Sequence, residues 1–318
     1  MHEFEIIKKY FSKLSTDRNS LNLSDDVFFC RSKNLIISID TYVEGVHFIN
    51  FKKPELVIKK IIRASLSDLF CKGVIPKYYF VSGSGSKRSF SKSNLKKISK
   101  SLKQEQNKFN ISLGGGDTVI SKKLSFTIVS LGFSKKIIYR NKVKKDDDIY
   151  VIGNLGDSFA GLRIIKKEII TNHHMRRYFE NKYYLPELFP DLSSKLFLFA
   201  NSAIDISDGL ITDLEKLINQ QSLSYVLRID KIPISNKLKI LLNKKKLKKE
   251  NFISQGDDYQ ILFTASKSKS RIINKTAKSL GIKISKIGSI CSPSVKSHII
   301  DEKGNKIALK NKGYYHRF

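Results

Sequence analysis

Strand-length apolar runs alternate with segments of helical period through most of this 318-residue chain, and they do so in two series. In the first series LIISI (35–39), YYFVSG (78–83), ISL (111–113) and LSFTIVSLGF (124–133) carry the β-branched and aromatic residues of strands. Between them PELVIKKIIRASLSDLF (54–70) opens on Pro54 and repeats apolar residues at helical spacing. SNLKKISKSLKQEQNKF (93–109) forms a second helix with Ser93 as its N-cap. An amphipathic helix over 3–14 places Phe4, Ile7, Phe11 and Leu14 on one face. KKDDDIYVIG (144–153) restarts the pattern, its three aspartates reading as a turn before a strand. A helix start at GDSFAGLRII and a strand at AIDIS (203–207) follow, then the helix DGLITDLEKLIN. Strands at YVLRI (225–229) and YQILFTA (259–265), a helix at KSRIINKTAKSLG (269–281) and a strand at IKISKIGSI (282–290) complete the second series. The alternation predicts an α/β fold, divided near residue 135 into domains 1–135 and 136–318.

ISLGGGDTVI (111–120) runs three glycines into an aspartate. A P-loop needs Lys and then Ser or Thr after its last glycine, and Gly116 is followed by Asp117. The dinucleotide fingerprint fails for want of an acid about twenty residues on. Two readings stay open: a plain tight turn, or a close approach of backbone to a ligand with Asp117 aimed at it.

Lys and Arg number 59 against 29 Asp and Glu, a formal charge of +30. Such a balance raises nucleic-acid binding. The lysines, however, are spread along the chain in runs such as NKKKLKKE (243–250), without interleaved aromatics or a nucleic-acid motif. They read as solvated surface, and no specific nucleic-acid partner is expected. Cys30, Cys71 and Cys291 are far apart and form no disulfide framework. No segment approaches the roughly 20 apolar residues of a membrane span, and the N-terminal stretch lacks the apolar core of a signal peptide. A cytoplasmic protein is expected.

Acids are scarce, yet they gather beside Gly, Ser and Thr where strands are expected to meet loops. Asp25 and Asp26 lie in SDDVF, Asp40 in SIDT, Asp68 in SLSDLF, Asp117 in GGGD, Asp205 and Asp208 in DISDGL, and Asp257 and Asp258 in QGDDY. Taken singly, each also reads as a turn former or helix cap. Together, converging carboxylates repel unless cations sit between them. Hard cations such as Mg²⁺ bridge carboxylates to substrate phosphates, so the pattern points to metal-assisted phosphoryl transfer.

SDDV, SIDTYVEGVHF, LSDLFCKGVIP, GGGDT, DISDGL and GDDYQILF, in this order, resemble the thiamine-monophosphate kinases of the AIR-synthase-like superfamily. The resemblance extends from FEIIKKYF to the terminal KGYYHRF. It implies a two-domain fold, with an N-terminal mixed-sheet α/β domain that pairs across a homodimer and a C-terminal α/β domain. It implies transfer of the ATP γ-phosphoryl group to thiamine monophosphate, giving thiamine diphosphate, with Mg²⁺ held by Asp26, Asp40, Asp68, Asp117, Asp205 and Asp208 and with Ser38 adding an oxygen. Gly116, Asp117, Arg140 and Ser207 would lie on the nucleotide. His47, Asp257 and Tyr314 would face the thiamine phosphate.

Two segments depart from the family pattern: NLSDD where a glycine-rich approach is usual, and QGDDYQ where GGEDYE is usual. Asp257 is therefore one methylene shorter than the usual Glu. Two rivals remain: an aminoimidazole-ribonucleotide or selenophosphate synthetase, and a non-catalytic basic nucleic-acid binder. DTYVEGVHF and KGYYHRF favour the kinase. No reactive Cys lies in 1–29, as a selenophosphate synthetase would be expected to have.

Overall fold

The computed structural model describes residues 3–218, 221–309 and 311–314. Among these, residues 28–133 build one mixed sheet and residues 148–307 another. The first sheet comprises β1 (Phe28–Cys30), β2 (Leu35–Val43), β3 (Pro76–Gly85), β4 (Ser112–Ile120) and β5 (Ser125–Phe133), in the order β1-β2-β5-β3-β4. Its pairs are antiparallel except β3 with β4. The second comprises β6 (Asp148–Ile152), β7 (Ser202–Asp205), β8 (Ser224–Arg228), β9 (Ile261–Ala265), β10 (Ile284–Cys291), β11 (His298–Ile300) and β12 (Lys306–Ile307). Its order is β12-β11-β8-β10-β6-β9-β7, with only β8 and β11 parallel.

Among the described residues the helices of eight or more residues are α1 (Pro54–Cys71), α2 (Lys92–Phe109), α3 (Asp157–Ile165), α4 (His173–Tyr184), α5 (Leu210–Leu217), α6 (Asn236–Lys245) and α7 (Ser270–Leu280). No described helix is long and apolar enough to cross a membrane. The helix that organises the molecule is α1. Val57, Ile58, Ile61 and Ile62 pack on Tyr79, Phe126 and Ile128 of the first sheet. The same helix packs against β7 and β9 of the second sheet and against α4. Helix α1 is therefore covered on most sides, and even its Lys60, Arg63 and Lys72 are buried. Arg63 is met by Glu105 of α2 through two bonds of 2.8 and 3.1 Å, and it donates to Pro186 O at 3.1 Å. A paired, hydrogen-bonded charge can be held at that depth where a lone one could not.

Several expectations change. The glycine run does not separate two strands: Ser112–Ile120 is one strand at the sheet edge, with an irregular step in register opposite Tyr79 and Phe80. A Cβ on Gly114 would meet the Phe80 ring at 2.7 Å, and one on Gly116 would meet Val81 O. These glycines admit an edge bulge and its close packing, not a turn. Strand β2 runs on to Val43 because it pairs with β5 along its whole length, so Asp40 lies inside a strand rather than past its end. Ser91, not Ser93, caps α2 by accepting from Asn94 N. Residues 3–14 are helical but change pitch, and Phe11 and Leu14 are exposed rather than facing a core. With no stripe to bury, little tertiary packing holds such a segment in one regular helix. The side chain of Phe4, the end of the predicted DGLITDLEKLIN helix at Asn219 and the last four residues of KGYYHRF lie outside the described residues.

Candidate active site

The expected site residues fall into two groups. Most surround the C-terminal end of α1, where the first sheet, β7 and the loop after it meet. Asp68, on the last turns of α1, accepts from Ser38 of β2 at 2.5 Å. Ser67, its chain neighbour, donates at 2.7 Å to Asp205 at the end of β7. Asp40 lies two residues along β2 from Ser38, on the face turned to α1, and accepts from Tyr42 OH at 3.2 Å. Burial pushes the Asp68 carboxyl well above the usual range, and the charges of Asp40 and Asp205 push it further, against the Ser38 hydroxyl and Lys72. Burial likewise lifts Asp205 to about 6, opposed by the Ser67 hydroxyl and reinforced by Asp213 and Asp40. Among the described residues, Asp68 and Asp205 thus accept from the neutral hydroxyls of Ser38 and Ser67, and the charge of Asp40 acts on both.

Asp26 and Asp208 have charged neighbours instead. Asp26 lies 2.8 Å from Lys72 and accepts from Arg140 Nε at 2.8 Å, with Arg140 Nη2 against its other oxygen. Asp208 meets Lys216 at 2.5 Å, and Lys216 also reaches Asp213 at 2.8 Å. Asp213 is fully buried and accepts from Asp208 N and Gly209 N, fixing the turn into α5. Among the described residues no group of three His, Cys, Asp or Glu side chains is already gathered as metal ligands.

Among the residues expected to face the substrate, His47 Nδ1 accepts from Val43 N at 3.0 Å, so the neutral ring carries its proton on Nε2. Its ring meets Tyr42 edge-on at 5.8 Å. Ser207 O accepts from Asp257 N at 2.8 Å, joining the loop after β7 to QGDDYQ. Asp257 itself is taken up by Lys60, 2.9 Å away, and by Tyr259 OH at 3.1 Å. Its φ is +70°, a left-handed conformation that Asp tolerates better than most residues. Lys60 lies fully buried against the Tyr183 ring, 3.5 Å from its centroid. Asp258 has a structural place, accepting from Gly156 N at the start of α3. Tyr314 joins through its backbone N–H to Asp208 O at 2.9 Å, with its side chain half-exposed.

Gly116 and Asp117 form the second group. Asp117 is exposed on β4 and holds its own neighbour, Thr118 N, at 2.8 Å. Across the sheet Asp117 pairs with Ser82, Ser82 with Thr127 and Thr127 with Thr41. Three strand spacings put Asp117 roughly 14 Å from Thr41. Paired residues share a face, so Asp117 lies on the open side of the sheet and Asp40 on the side of α1. Within one chain the two carboxylates do not converge.

Lys60, Lys72, Lys216 and Asp213 escaped the sequence reading. Spacing could have found two of them. Lys60 falls between Val57, Ile61 and Ala64, and Asp213 between Leu210, Leu214 and Leu217, each on the apolar face of its helix. An ion on that face is either paired or functional.

The first part of the chain, residues 24–134, matches the family described as AIR synthase related protein, N-terminal domain. A thiamine-monophosphate kinase of Buchnera aphidicola subsp. Acyrthosiphon pisum is 36% identical over 331 residues, spanning 99% of this chain and 98% of that protein. The chain belongs to the thiamine-monophosphate kinase family. A second thiamine-monophosphate kinase, of Haemophilus influenzae, is 32% identical and spans 91% of this chain and 89% of its own. Among solved structures, AaThiL complexed with AMPPCP and TMP has the same fold, with a TM-score of 0.86 at 24% identity, over 99% of this chain and 97% of that one. In this member of the thiamine-monophosphate kinases, Asp25, Asp26, Asp208 and Asp257 are met by cations of the chain, whereas Asp68 and Asp205 accept from the hydroxyls of Ser38 and Ser67.

That contrast has a pH signature. The folded Asp205 pKa of about 6 lies above its unfolded value, so the native state binds the proton more tightly. The stability it contributes is complete below about pH 4 and is lost as pH rises through about 6, a loss of roughly 3 kcal/mol at most. In chelator, Asp205→Asn is expected to leave denaturant stability near native at pH 4 and to exceed it at pH 7.5. An equal difference at both pH values would show that Asp205 is not the strained group.

Proposed function

We propose that the chain transfers the γ-phosphoryl group of ATP to thiamine monophosphate, giving thiamine diphosphate and ADP. The observation that carries this reading is the pair Asp68 and Asp205, which accept from the hydroxyls of Ser38 and Ser67, with Asp40 beside them on the face turned to α1. The set fits Mg²⁺, since it offers hard oxygen donors, with Ser38 beside Asp68, and burial together with the neighbouring carboxylates disfavours the charged forms of Asp68 and Asp205 unless a cation is near. Asp40, Asp68 and Asp205 would hold Mg²⁺, which would supply positive charge to neutralise the phosphates of ATP. The acceptor oxygen of thiamine monophosphate is already anionic, so no residue has to act as a strong base. The chain's part is to align and to neutralise.

Arg140 and the backbone at Ser207 suit the nucleotide phosphates, lying at the rim of the same cluster. Arg140 feels Asp205, Asp208 and Asp213 as well as Asp25. His47 presents Nε2–H as a donor to the phosphate of the acceptor. Asp257 acts on the thiamine end through Lys60 and Tyr259, which it holds in place, and Tyr314 borders the loop at Asp208. The reading takes residues 1–135 and 136–318 as two domains, each built on one sheet. Three free cysteines and small-molecule substrates suit a cytoplasmic enzyme.

We also read the active form as a homodimer. The open face of the first sheet carries Ile39, Phe80, Val119 and Phe133, exposed by 66, 38, 49 and 55%. Apolar side chains in such a row, beside an uncovered edge strand, favour a partner surface. A dimer would also give Asp117 a role that a single chain denies it, by bringing it to the cluster of the partner subunit.

Incubation with ATP, Mg²⁺ and thiamine monophosphate is expected to yield thiamine diphosphate and ADP in equal amounts. Asp68→Asn and Asp205→Asn should each lower kcat by about 100-fold or more. ATP turnover without thiamine diphosphate would overturn the assignment. If Asp117 serves the partner's site, mixing inactive Asp117→Asn and Asp205→Asn chains should restore about a quarter of native activity, because half of the dimers are mixed and each holds one intact site. No recovery on mixing, with dimers demonstrably exchanged, would place Asp117 elsewhere.

A further inference from the structure

Lys72 closes α1 and has no exposed surface. Its ammonium lies 2.8 Å from Asp25 Oδ1, 2.8 Å from Asp26 Oδ2 and 2.9 Å from the carbonyl oxygen of Ala203. An ammonium has three donors, and here three oxygens surround it. The carboxylates are equally committed. Asp25 Oδ1 also accepts from Asp26 N at 2.8 Å, and Asp25 Oδ2 accepts from Arg140 N at 2.9 Å. Asp26 Oδ2 accepts from Arg140 Nε at 2.8 Å, and Asp26 Oδ1 faces Nη2. All four carboxylate oxygens therefore meet donors of the chain itself, and two negative charges face two positive ones.

A divalent ion entering this corner would add charge beside two fixed cations at low dielectric. It would also need Lys72 to withdraw, yet the stem is buried at the end of a packed helix and the ammonium is tied to β7 through Ala203. We propose that Lys72 is a built-in cation occupying the place between Asp25 and Asp26, so that this corner binds no divalent ion and serves to fix Arg140. This rests on the reading that divalent ions sit at Asp40, Asp68 and Asp205, and it removes Asp26 from the ligand set that the family resemblance implies. Lys72 is a positioning residue: it acts on the nucleotide site through Asp26 and Arg140. Although burial alone would lower the Lys72 pKa, Asp25 raises it, so its charge is kept.

Mn²⁺ binding to the full-length chain, followed by the EPR signal of the free ion without nucleotide, tests this directly. Asp26→Asn in the native chain is expected to leave Mn²⁺ affinity within about twofold, where loss of a true ligand environment costs about tenfold or more. Lys72→Met, which keeps the stem and removes the charge, is expected to gain one further Mn²⁺ per chain, and adding Asp26→Asn to it should abolish the gain. A weakening of about tenfold or more in Asp26→Asn alone would overturn the proposal, as would a folded Lys72→Met chain with no gained ion. If Lys72→Met does not fold, the single Asp26→Asn variant decides. Asp205→Asn reports separately on the metal reading: unchanged binding there would defeat that reading, while the gain in Lys72→Met would still decide the role of Lys72.

Discussion

Putting carboxylates out of water at the end of one helix is the constraint around which this molecule is arranged. A buried carboxylate has to be neutralised by a proton, a side-chain cation or a bound ion. Around α1 the chain uses lysine and arginine for some: Lys72 and Arg140 for Asp25 and Asp26, Lys60 for Asp257, Lys216 for Asp208 and Asp213. For Asp68 and Asp205 it supplies hydroxyls from Ser38 and Ser67. The residual charge is the chemical content of the site.

The position of α1 explains how one helix organises both kinds of corner. Its apolar residues bury against the first sheet, and its last turns reach β7 of the second. Asp68 and Lys72 are four residues apart and share a face, yet they address different partners: Asp68 faces β2, and Lys72 reaches the 25–26 segment and Ala203. A shift of α1 relative to the second sheet would disturb the Ser67–Asp205 and Lys72–Ala203 bonds together, and a shift relative to the first would disturb the Ser38–Asp68 bond. Site geometry and packing between the sheets are therefore one property.

Much of this was legible in the chain. Pro54 and the period of 54–70 located α1 almost to the residue, and the strand runs located both sheets. The acids stood out because they are few. Their counter-ions did not, since 59 Lys and Arg made Lys60, Lys72 and Lys216 look like solvated surface. Burial depends on neighbours distant in sequence: Lys72 is covered because Asp25, Asp26 and Ala203 come to it. The glycine run misled for the same reason, because its cause is the Phe80 ring and the Val81 carbonyl on the adjacent strand. Helices α4 and α6, strand β1 and the β11–β12 hairpin were not anticipated, being rich in charged residues or very short.

The central claim is that external cations complete Asp40, Asp68 and Asp205 while internal ones complete Asp25 and Asp26. Anomalous scattering from crystals grown with Mn²⁺ and a non-hydrolysable ATP analogue measures both at once. The predicted result is Mn²⁺ bound to oxygens of Asp68 and Asp205, with the Lys72 ammonium still between Asp25 and Asp26. Mn²⁺ bound to Asp26 with Lys72 displaced, or no Mn²⁺ beside Asp68 and Asp205, would contradict it.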